Sequence, residues 1–79
     1  MDYNIFIIYR NNNFYENYAD FIKTYNLDKY EYLIYNCSDE TIDCEYVNEP
    51  DIEIDTIIKS IYSDNIGDKC IILDSCIKY

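Results

Sequence analysis

Seventy-nine residues with a formal net charge of −10, of which 49% are apolar and 18% aromatic, make one domain spanning residues 1–79. This is close to the smallest size at which a hydrophobic core holds without staples, yet the chain is too apolar and aromatic for a disordered acidic tail. Such a charge repels nucleic acid and anionic membrane and speeds encounter with basic protein surfaces.

The predicted elements follow in chain order. Tyr3 to Tyr9 (YNIFIIY) is a continuous apolar, β-branched run closed by Arg10-Asn-Asn-Asn, the pattern of a central strand. Asn13 is placed to cap a helix from Phe14 to about Asn26, with Phe14, Tyr18, Phe21, Ile22 and Tyr25 at helical spacing. Tyr30 to Asn36 (YEYLIYN) reads as a second strand. Thr41 to Val47 then alternates, with Ile42, Cys44 and Tyr46 on one side and Asp43 and Glu45 on the other, which implies a strand with one wet face. Pro50 suits the first turn of a second helix, capped by Asn48 or Glu49, with Ile54, Ile57, Ile58, Ile61 and Tyr62 as its buried stripe. Gly67 lies beyond that helix, and Lys69 to Ile77 (KCIILDSCI) is the last strand.

The resulting order, β-α-β-β-α-β, predicts an α+β fold of the ferredoxin-like kind, a four-stranded antiparallel sheet with two helices on one face. The alternative drops the strand at 41–47 and leaves β-α-β-α-β, a half-size parallel α/β sheet with residues 37–49 as a loop.

Residue types restrict the chemistry. The chain has no His, which removes imidazole zinc sites, His-based acid–base catalysis and Ser-His or Cys-His nucleophiles. One Gly excludes a phosphate-cradling loop, and one Arg leaves little to grip an anionic substrate. Cys37, Cys44, Cys70 and Cys76 are spaced C-x6-C and C-x5-C, too wide for a zinc knuckle, so they read as small buried hydrophobes. Cys37 and Cys44 flank a hairpin across which they would face each other. The carboxylates lack the calcium-loop spacing and its glycine, and the chain leaves little room for a glycosidase cleft. No catalytic residue, metal ligand or cofactor is therefore expected. The N-terminal MDYNIFIIYR has no basic signal-peptide region, and no apolar run approaches a membrane span, so the expected location is the cytosol of a host cell. The richness in Ile, Tyr and Asn fits an AT-rich coding genome, such as that of a low-GC bacterium, its phages or a large DNA virus.

The acids are unevenly placed. Residues 39–55 (DETIDCEYVNEPDIEID) hold Asp39, Glu40, Asp43, Glu45, Glu49, Asp51, Glu53 and Asp55 and no basic residue. On a strand, Asp43 and Glu45 project from one face about 6.6 Å apart. Asp51, Glu53 and Asp55 fall near the start of the second helix, where the dipole stabilises acids by about 0.3–1 kcal/mol each. The remaining acids have no such local cause. Carboxylates in rows several ångströms apart imitate DNA, which presents a phosphate about every 3.4 Å along each strand. Eleven tyrosines are more than a core this small absorbs, so Tyr30, Tyr32, Tyr35 and Tyr46 are candidate interface anchors. The partner-binding candidates are thus Asp39, Glu40, Asp43, Glu45, Tyr46, Glu49, Asp51 and Asp55, with Tyr30, Tyr32 and Tyr35.

In size, acidity and lack of catalytic residues the whole chain resembles small phage-encoded counter-defence proteins, the anti-CRISPR and DNA-mimic inhibitors. That resemblance implies a cytosolic, non-enzymatic inhibitor of viral or mobile-element origin that occludes a basic, nucleic-acid-handling host protein. Locally, IIYRNN and CIILDS are similar to the opening strand of nucleotide-sugar glycosyltransferases and to the strand before their metal-binding DxD. The equivalent positions here are Asp74-Ser75-Cys76, which lack the second acid, so this likeness implies an inactive remnant of a nucleotide-binding fold. YNIFIIYR is also similar to the first box of TIR domains, with nothing downstream to continue it. A further class of reading is a structural or homo-oligomeric module, a homodimer included, whose charge serves solubility alone.

Overall fold

The computed structural model describes residues 4–11, 13–42, 46–48, 53–67 and 69–78. Its core is built around strand β1 (Ile5–Arg10), whose residues Ile5 to Tyr9 are all buried. Strands β2 (Tyr32–Cys37), β3 (Tyr46–Asn48) and β4 (Ile71–Asp74) complete one sheet in the order β3-β2-β1-β4. Every pairing in it is parallel, with Ile5 beside Tyr32 and Ile71, and Ile34 beside Tyr46.

Helix α1 (Tyr18–Thr24), followed by a 3₁₀ turn at Leu27–Lys29, and helix α2 (Ile54–Asp64) cover the sheet. Alternate β1 side chains assign them to faces. Ile5, Ile7 and Tyr9 pack with Phe21, Ile22, Leu27 and Ile34 on the α1 side. Phe6 and Ile8 pack with Ile57 and Ile61 on the α2 side. The helices therefore lie on opposite faces, which is why β1 is apolar at every position. Full burial of each such side chain stabilises the fold by about 1.5–3 kcal/mol. Under α1 the rings of Tyr9, Tyr15 and Tyr25 meet the fully buried Phe21 edge-on, at centroid distances of 4.9–6.5 Å.

A four-stranded sheet with two helices is thus present, as the sequence implies, but the antiparallel, one-sided version of it is not. The sheet is parallel and covered on both faces, the pairing of the half-size α/β alternative with a short β3 added. The hairpin expected between the second and third strands fails because the chain leaves β2 through a side-chain-bonded loop. Asn36 accepts from the Ser38 amide and hydroxyl and donates through Nδ2 to the Glu40 carbonyl at 2.9 Å. Ile42 is buried against the α1-side cluster without belonging to a strand, β3 is Tyr46–Asn48, and residues 43–45 of the expected strand lie outside the described residues. The β3 backbone runs beside β2 from Ile34 to Asn36 in the same direction.

Element ends shift as well. Asn13 does not cap α1. Its Nδ2 donates to the Arg10 carbonyl at 2.6 Å and its Oδ1 accepts from the Tyr15 amide, which holds residues 13–15 in a turn and leaves Phe14 62% exposed. The cap is Asn17, whose Oδ1 accepts from the Asp20 amide at 2.9 Å. Helix α2 starts at Ile54 with Glu53 as its N-terminal flanking residue, and Asn48 ends β3. The expected helix start at Pro50 lies outside the described residues. The last strand is shorter than expected, because Ser75 and Cys76 turn away from it.

Candidate functional site

In an open parallel sheet, a crevice forms at the carboxyl ends of neighbouring strands whose connecting helices lie on opposite faces, and ligands bind there. In this chain that place is between β1 and β4. Both strands end there in polar residues, Arg10-Asn11 on one side and Asp74-Ser75-Cys76 on the other.

These residues engage one another. The Arg10 guanidinium grips Asp74 at both oxygens, Nε to Oδ1 at 3.1 Å and Nη2 to Oδ2 at 2.7 Å. This is a forked, charge-assisted pair with fixed geometry. The Cys76 amide adds a third donor to Asp74 Oδ1 at 2.9 Å. Ser75 is fully buried, and its Oγ accepts from the Arg10 amide at 2.8 Å while its own amide donates to the Ile8 carbonyl. The ends of β1 and β4 are thus tied to one another by their own polar groups.

The loop after β2 covers the neighbouring end of β1. The Asp39 amide donates to Asn11 Oδ1 at 3.2 Å, and Asn11 Nδ2 returns a bond to Asp39 Oδ2. Glu40 faces inward. Its Oε1 accepts from the Tyr9 hydroxyl and its Oε2 from the Tyr18 amide, both at 2.9 Å. The second bond sets a carboxylate at the first turn of α1, where the dipole favours it. Burial, then the bond to Glu40, pushes the Tyr9 hydroxyl up from its ordinary 10.0 to about 12.

The partner-binding candidates among the described residues do not form one patch. Asp39 and Asp55 are exposed, and Glu40 is part of the internal network just described. Tyr30 is 51% exposed with the Lys29 ammonium 5.4 Å from its ring centre, yet it precedes β2 whereas Asp39 follows it. The six residues of β2 separate those two by about 20 Å. Tyr32 and Tyr35 are half-buried against opposite faces of the sheet, one packed with the α1-side cluster and the other with the α2-side cluster. Tyr46 is placed by its backbone in β3 beside Ile34. Asp43, Glu45, Glu49 and Asp51 lie outside the described residues.

A concavity, an open groove of ≈ 510 Å³ between α1 and the start of β2, is lined by Tyr18, Ile22, Lys23, Asn26, Asp28 and Tyr32. Among the described residues, no group of three or more His, Cys, Asp or Glu side chains lies close enough to hold a metal ion. Nor is any helix among them long and apolar enough to cross a membrane. The residues that selection by charge misses are Arg10, Asn11, Asp74 and Ser75. The signal for them is positional, since polar residues follow directly on two apolar strand runs, IFIIY and IIL. Comparison with protein-family models, with curated proteins and with solved structures finds no match to this chain.

Proposed function

We propose that the chain is a non-enzymatic binding protein built on a nucleotide-binding, glycosyltransferase-like half-sheet whose ligand crevice is closed by its own Arg10. The observation that carries this reading is the forked Arg10–Asp74 pair at the junction of β1 and β4. Asp74 is the acid that the likeness to glycosyltransferases equates with the first acid of the metal-binding motif. Both its oxygens are taken by a guanidinium, one of them also by the Cys76 amide, and a thiol stands where the second acid would be. A divalent cation would have to displace a cation that the fold already supplies. Differential scanning with uridine diphosphate and Mn²⁺ tests this: the unfolding temperature stays constant with either or both. A rise that grows with ligand concentration, as binding to the folded state requires, would overturn it.

The partner that the charge favours is a basic, nucleic-acid-handling host protein, engaged in the manner of a small counter-defence inhibitor. Support comes from the net charge of −10 and from the exposed Asp39, Glu53 and Asp55, none of which forms an ion pair among the described residues. Capture of a basic host protein should weaken steeply between low and high salt, and charge reversal at Asp43, Glu45, Asp51 and Asp55 together should abolish it. Unchanged capture by that quadruple variant would dispose of the inhibitor reading and leave the closed crevice untouched.

A further inference from the structure

We propose that the open edge of β4 is a self-association surface, on which a second copy of this chain pairs antiparallel about a two-fold axis normal to the sheet. Among the described residues strand β4 ends the sheet order, and its inner side is satisfied by β1: the Ile71 amide donates to the Asn4 carbonyl at 2.8 Å and the Ser75 amide to the Ile8 carbonyl at 3.0 Å. Alternation along the strand then points the Ile72 amide and carbonyl outward, toward the edge. Ile71, 55% exposed, opens this strand, so the edge carries an apolar side chain as well as backbone donors and acceptors. A twofold pairing of two such edges is self-complementary and joins two four-stranded sheets into one.

Charge selects the second copy and this edge. Natural sheets protect their edges with charged residues. The other edge strand, β3, is flanked in sequence by Asp43, Glu45 and Glu49, so two copies meeting there would set acid against acid. Residues 68–78 carry Lys69 and Lys78 against Asp68 and Asp74, a formal zero (two Lys less two Asp) in a chain of −10. Asp74 is moreover already held by Arg10. Of the two sheet edges, that of β4 is therefore where two copies of an acidic protein repel each other less. The contact is small, which places it among weak, reversible associations.

Sedimentation of the full chain up to about 1 mM, where even weak association of about −4 kcal/mol registers, at low and at high NaCl tests the proposal. A monomer–dimer equilibrium that tightens with salt is expected, because screening removes the repulsion between the bodies. Ile71→Lys should weaken it at least about tenfold, or about 1.4 kcal/mol, with an unchanged far-ultraviolet circular dichroism spectrum. Should that variant unfold, hydrogen exchange of the Ile72 amide in the native chain decides, with protection rising as concentration rises. A monomer at every concentration and salt, or a dimer in which Ile72 stays unprotected, overturns the proposal.

Discussion

Tyr9 and Glu40 show how one residue's role depends on what lies opposite it. In the sequence Glu40 belongs to an acidic stretch and Tyr9 ends an apolar run. In the fold they meet, and the carboxylate becomes the acceptor for a buried phenol and for the first turn of α1. Because the Tyr9 hydroxyl is held near 12 in the folded chain and near 10 when unfolded, the unfolded state loses that proton first as pH rises. The stability this contributes is complete below pH 10 and disappears as pH climbs through 12, by the linkage between proton binding and folding. Phenolate absorbance should therefore show one tyrosine ionising about two pH units after the ordinary value, and Tyr9→Phe should delete that late step. A late step that survives Tyr9→Phe would refute the assignment. Ser75 offers a second test at this scale. Its fully buried Oγ accepts the Arg10 amide, so Ser75→Ala leaves a backbone donor without its partner and should cost about 1–3 kcal/mol in urea unfolding. A loss below about 0.5 kcal/mol, the bound for featureless sites, would mean that another acceptor takes over.

At the scale of elements, the sequence displays the strands and helices more clearly than it displays how they pair. The run Ile5–Tyr9 is apolar at odd and even positions alike, and the structure buries both sets, one under each helix. That pattern already favours a parallel sheet covered on two sides. The alternation at residues 41–47 points the other way, and Ile42 is what misleads: one buried residue in a loop has the same periodicity as the start of a strand. The start of α1 is misplaced for a related reason. Asn13 and Asn17 are both good capping residues by type, and only the turn that Asn13 makes with Arg10 and Tyr15 separates them. Of the site, the acids were conspicuous in composition, but Arg10, Asp74 and Ser75 become a group only once β1 and β4 are neighbours. The cap can be tested directly. Asn17→Ala should lower stability by about 1 kcal/mol, and Asn17→Asp or Asn17→Ser should restore most of it, since each supplies an oxygen to the Asp20 amide. Equal stability of the alanine and aspartate variants would show that α1 does not depend on this cap.

For the whole molecule, charge and size set the scale on which its acids act. The radius of gyration is 11.9 Å. At about 0.01 M salt the screening length is about 30 Å, comparable with the 34 × 29 × 23 Å extents of the protein, so carboxylates on different sides feel one another; at about 1 M it is about 3 Å and they do not. A compact body with a net charge of −10 is therefore under self-repulsion at low salt, and unfolding relieves it. The attraction that opposes this among the described residues is the Arg10–Asp74 pair, which is forked and partly buried and so loses less to screening. Repulsion should win, and its sign is measurable: the urea midpoint rises as NaCl is raised from about 0.01 M, where the screening length is about 30 Å, to about 1 M. Salt should then strengthen the fold and the proposed pairing of two acidic copies, and weaken the proposed capture of a basic partner. Solubility alone would account for the first effect but has no bearing on the third. A urea midpoint that stays flat or falls across that range would mean that the acids are already compensated within the fold, and the physical reason to look for a basic partner would go with it.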